Sequence, residues 1–109
     1  MNIQEYNEII TLIAKVEAKK EAYEKLDAEF DGVDSLKDAD RWMELYDKTT
    51  RARKAMKKAY ADFRKKIDNE EYGYLAHMFR YSQDQSDKNF YYYASREILY
   101  KESQRIRFE

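Results

Sequence analysis

Phe90-Tyr91-Tyr92-Tyr93 is an unbroken row of aromatic side chains, and Tyr100 follows it in the same segment. Successive residues of a helix point in different directions, so a helical row of four cannot be buried on one narrow face. With Phe90, Ala94 and Ile98 facing a core, some of Tyr91, Tyr92 and Tyr93 must stand near solvent. Tyrosine joins a large apolar body to a polar tip, and rigid exposed tyrosines are good anchors for a protein interface. Tyr91, Tyr92, Tyr93 and Tyr100 are therefore the expected partner-binding residues. The chemistry they offer is contact, not bond making.

Reactive chemistry is sparse. The chain has one histidine and no cysteine, which removes thiolate ligands, thiol nucleophiles and disulfides. On a helix the neighbours of His77 are Gly73, Tyr74, Arg80 and Tyr81, so no Glu-x-x-His or His-x-x-x-His pair forms. No serine sits in a nucleophile-elbow pattern, and there is no glycine-rich phosphate loop. Asp27 to Asp38, with Gly32 at the sixth place, superficially resembles an EF-hand calcium loop. Glu29 replaces the usual Asp or Asn, Asp34 takes an apolar place, and Asp38 replaces the bidentate Glu. A capped acidic turn accounts for the same residues. The expectation is a non-enzymatic protein with no cofactor and no metal.

Charge varies along the chain. Residues 1–47 carry six basic against thirteen acidic side chains, a net of −7. Residues 48–66 carry nine against one, a net of +8, and residues 67–109 carry six against eight, a net of −2. Within the basic run of 51–66, Arg51, Lys54, Lys58 and Lys65 lie on the outer face of a helix. A stripe of one sign can steer an anionic partner, including a nucleic-acid backbone read without sequence specificity. Asp31, Asp34 and Asp38 belong to the opposite, acidic end and form a possible contact for a basic partner.

The elements that must position these residues are helices. Asn2 with Glu5 makes a capping box. Ile3, Tyr6, Ile9, Ile13, Val16, Tyr23, Leu26 and Phe30 then mark a helix over about 3–30, interrupted at Lys20, whose stem lies along the seam. Gly32 suits a left-handed residue after the helix, and Asp34 or Ser35 suits the next N-cap. The stretch from Ser35 to Asp68 has no Gly and no Pro. Its seam runs Ala39, Trp42, Tyr46, Thr49, Arg53, Met56, Tyr60, Phe63 and Ile67, with coiled-coil spacing. A second helix of about 36–68 follows, roughly 50 Å long at 1.5 Å per residue. The short connection implies an antiparallel hairpin, with Phe30 near Leu36, Val16 near Thr50 and Ile9 near Lys57. Two shorter helices, about 70–82 and 88–106, are expected to pack against it, with Ser82 to Asp87 as a polar loop.

These features predict an all-α fold in a single domain, 1–109, elongated in shape. No apolar run approaches the ~20 residues of a membrane span, and the first residues lack the basic and apolar regions of a secretory signal. A soluble, cytoplasmic protein is expected. In general character (short, tyrosine-rich, mixed in charge, without site chemistry) the chain resembles small accessory proteins of phages and mobile elements. That resemblance rests on style and on no particular residue. It implies an inhibitor that docks on a host protein or nuclease complex. The alternatives are a nucleic-acid-backbone binder and a self-associating structural protein.

Overall fold

The computed structural model describes residues 2–67 and 83–108. Among them there are three helices and no strand: α1 (Ile3–Asp31), α2 (Ala39–Ile67) and α3 (Gln83–Phe108). The fold is all-α. The helix expected over 70–82, with His77 in it, lies outside the described residues. The molecule is elongated, with extents of 60 × 29 × 16 Å.

α1 starts at the expected N-cap, with Glu5 reaching back to the Asn2 side chain and not to its backbone N–H. Asn2 Oδ1 accepts the Glu5 N–H at 2.8 Å, and Asn2 Nδ2 donates to Glu5 Oε1 at 3.3 Å. Its end differs from expectation. Gly32 has φ −84° and ψ −4°, and its N–H donates to the Glu29 carbonyl at 3.2 Å. The helix closes by tightening its last turn, with no left-handed residue.

α2 begins at Ala39, later than expected, because neither Asp34 nor Ser35 is the N-cap. Asp34 Oδ1 accepts the Leu36 N–H at 2.8 Å, which holds the connection in a local turn. Asp38 is the residue that caps α2, its Oδ1 accepting the Arg41 N–H at 3.3 Å. The longer connection shifts the pairing of the two helices. Phe30 meets Trp42 and Tyr46, with ring centroids 5.2 and 6.2 Å apart, and Leu36 is left 93% exposed. At the far end Lys66 Nζ lies 3.0 Å from Glu8 Oε2. α1 and α2 thus pack closely side by side, with contacts some eight residues out of the expected register.

The seam of α2 also moves. Its C-terminal half buries Tyr60, Phe63 and Ile67 as expected. In the N-terminal half Thr49 is buried as expected, but Leu45 is buried as well, while Tyr46 and Arg53 are exposed. A straight helix turns once in 3.6 residues, so a strict 3.5 repeat drifts off the buried face over several turns.

α3 starts at Gln83, so the polar run that reads as a loop is partly helix. Arg64 of α2 explains this. Its Nη1 donates to Asp87 Oδ1 at 2.7 Å and to Ser86 Oγ at 3.0 Å, and its guanidinium lies 5.3 Å from the Phe90 ring centre. Ser86 and Asp87 are buried by these contacts.

The core lies at the end of the α1–α2 pair remote from their connection. Ile9 and Val16 of α1, Ala59, Tyr60, Phe63 and Ile67 of α2, and Phe90, Tyr91, Ala94 and Ile98 of α3 form one buried cluster. Each large apolar side chain there contributes about 1.5–3 kcal/mol by leaving water. Phe63 is central: its ring meets Tyr91 edge-on at 5.0 Å and Phe90 at 6.4 Å.

Candidate functional site

Burial of Phe90, Ala94 and Ile98 decides which tyrosines α3 presents. All three are fully enclosed. Tyr92 and Tyr93, on the other side of the helix, are 46% and 51% exposed, and Tyr100 is 67% exposed. Leu99 joins them at the surface. The Tyr92 and Tyr93 rings meet edge to face at 5.3 Å. The Arg96 guanidinium lies 3.9 Å from the Tyr92 ring centre, a cation–π contact that holds both groups in place.

Tyr91 departs from its expected role as a surface anchor. It is 6% exposed, with its ring among Tyr60 and Phe63. Its hydroxyl donates to Glu17 Oε1 of α1 at 2.5 Å. Burial, then the hydrogen bond to Glu17, hold its phenol far above the ordinary range. Burial also raises the Tyr60 phenol, with the charges of Glu17 and Glu24 adding to the effect. Neutral tyrosine suits both positions.

Beside this face is an open cleft of about 730 Å³ between the three helices. Ile13, Tyr60, Tyr91 and Tyr92 supply apolar wall, and Lys20, Lys88 and Arg96 bring three cations to it. Lys20 is the residue that interrupts the α1 seam, and its place at this cleft accounts for a lysine there. Among the described residues, none of these three cations forms a salt bridge. The one lining carboxylate, Glu17, is engaged by Tyr91. Neither Lys20, Lys88 nor Arg96 stood out as a site residue in the sequence. The only signal was a lysine where an apolar residue was due.

The basic stripe is where the sequence puts it. Arg51, Lys54, Lys58 and Lys65 are all exposed on α2. At 100° per residue they fall within about 60° of arc, opposite the buried face. Arg51 Nε lies 3.3 Å from Asp47 Oδ2, which neutralises part of its charge.

Asp31, Asp34 and Asp38 are exposed at the α1–α2 connection, but two of them are tied to local backbone N–H groups. Asp27, Glu29 and Asp31 remain within α1, so the chain there is helix and not a cation-binding loop. Among the described residues, no three His, Asp or Glu groups are placed to hold a metal ion. The sequence missed an apolar feature at this end. Trp42 stacks on Tyr46 at 5.5 Å, and Leu36, Met43 and Tyr46 are exposed around them. Seam spacing alone puts Tyr46 inside.

No helix among the described residues is long and apolar enough to cross a membrane. No protein-family model, no curated protein and no solved structure matches this chain.

Proposed function

We propose that this is a non-enzymatic protein-binding module, built on an antiparallel α1–α2 hairpin, that docks on another protein through the outer face of α3. The observation that supports this reading is the exposure of Tyr92, Tyr93 and Tyr100 on a helix whose other side is fully buried. Large aromatic anchors on a rigid element lose little conformational entropy on binding, and such residues dominate interface energies. A cytoplasmic inhibitor of the phage or mobile-element kind, acting on a host protein or nuclease complex, is the role this reading favours.

The test is recovery of a binding partner from the cells that make the protein, with the wild-type chain and with Tyr93→Ala combined with Tyr100→Ala. The double variant should keep its helical circular dichroism and lose the specific partner. Equal recovery of the same partner by both chains would end the reading.

A second reading rests on the single-sided placement of Arg51, Lys54, Lys58 and Lys65. It is sequence-independent binding to a nucleic-acid backbone. Gel shifts with random DNA and RNA over a salt series separate the two, since backbone binding weakens steeply with salt. No retardation at low salt removes it.

A further inference from the structure

We infer that the cleft between α1, α2 and α3 receives an acidic, aromatic-bearing peptide segment of the docking partner, with Lys20, Lys88 and Arg96 holding its carboxylates. This rests on the protein-docking reading and names the chemistry of the partner. Three features of the cleft support it.

Its volume of about 730 Å³ falls within the roughly 300–1,000 Å³ of clefts that enclose a ligand. It is continuous with the exposed face of α3, because Tyr92, Tyr93, Arg96 and Leu99 belong to both. A partner lying across the tyrosines therefore has a recess beneath it. The lining is aromatic, with Tyr60, Tyr91 and Tyr92, which suits a ring or a branched apolar side chain.

The charge of the lining is the second feature. Lys20, Lys88 and Arg96 outnumber Glu17, and that carboxylate already accepts the Tyr91 hydroxyl. Three cations without salt bridges among the described residues, gathered at one cleft, give its lining a net positive charge that complements carboxylates.

The third feature separates a peptide from a nucleic-acid strand. Glu17 and Ser95 place acceptor oxygens in the lining. A peptide backbone brings N–H donors to meet them, whereas a phosphodiester backbone offers acceptors only.

The experiment uses the full chain and three labelled probes: a short peptide with one phenylalanine flanked by Asp and Glu, the same peptide with Asn and Gln in their place, and a single-stranded oligothymidine of matching charge. Binding is read by fluorescence anisotropy at two salt concentrations. The acidic peptide should bind about tenfold more tightly than its amide counterpart and more tightly than the oligothymidine, with the advantage shrinking at high salt. Lys20→Gln, Lys88→Gln and Arg96→Gln together should abolish that advantage. Lys54→Gln with Lys58→Gln, on the far side of α2, should leave it intact. Equal binding of the acidic and amide peptides overturns the inference, as does preference for the oligothymidine. Because the peptide comparison is made on the wild-type chain, it stands even if the triple variant fails to fold. A negative result here, with partner recovery still dependent on Tyr93 and Tyr100, would remove the acidic segment and leave docking in place. Loss of both would remove the docking reading as well.

Discussion

The hydroxyl of Tyr91 donates to Oε1 of Glu17 at 2.5 Å, joining α3 to α1 across 74 residues of sequence. With it, one tyrosine of the row lies inside the protein, while Tyr92 and Tyr93 stay at the surface. A hydrogen bond to a charged acceptor is stronger than one between neutral groups, and here it ends a ring already enclosed by Tyr60 and Phe63.

Tyr91→Phe keeps the ring and removes this bond. Glu17 can regain water, since its residue is exposed. The expected loss is about 1 kcal/mol. A lower urea midpoint with an unchanged slope would show it. Tyr91→Ala should cost about 3–5 kcal/mol, because it also empties a packed site. No change in Tyr91→Phe would mean that the bond does not hold α3.

Alkaline stability follows from the same residue. Burial raises the phenols of Tyr91 and Tyr60 above their ordinary value of 10.0. Below that value both are protonated whether the chain is folded or not, and they contribute no pH dependence. Above it the unfolded chain releases protons first, so stability falls as pH rises toward the folded values. Urea midpoints measured from neutral to strongly alkaline pH should decline there, and the decline should be shallower in Tyr91→Phe.

Arg64→Met tests what starts α3. It removes one partner of the buried Asp87 carboxylate, the guanidinium 2.7 Å away, and the donor to Ser86. The expected cost is about 3 kcal/mol, the scale for breaking a mostly buried pair from one side. Amide hydrogen exchange should rise first in residues 86–98 and least in the facing halves of α1 and α2. Uniform exchange across all three helices would show that α3 does not detach separately.

Asp38→Ala removes the cap of α2 and should destabilise by about 1 kcal/mol. For a chain of this size that is a fall of about 4–8 °C in the calorimetric Tm. Ser35→Ala should change little, because the helix does not begin there.

Tyr93→Ala and Tyr100→Ala, in contrast, should each cost no more than about 1.5 kcal/mol, well below Tyr91→Ala, because both rings are at least half exposed. A large loss in thermal melts would assign these rings to the fold and weaken their claim as docking anchors.

Much of the local structure is legible in the residues themselves. The Asn2–Glu5 box, the absence of Gly and Pro from Ser35 to Ile67, and the recurrence of Phe90, Ala94 and Ile98 each act through neighbours a few residues apart. The exposed stripe of Arg51, Lys54, Lys58 and Lys65 follows from the same periodicity, since charged side chains remain in water unless something pairs with them. What depends on distant partners is not legible in this way. A polar run such as Ser86-Asp87 becomes buried helix because Arg64 reaches it from α2. Trp42 rather than Leu36 meets Phe30 because the connection takes up residues 32–38. Tyr91 turns inward while Tyr92 and Tyr93 do not, although all three have the same side chain. A helix distributes such a row around its axis, and only the surfaces that arrive from α1 and α2 determine which part of that circle is covered.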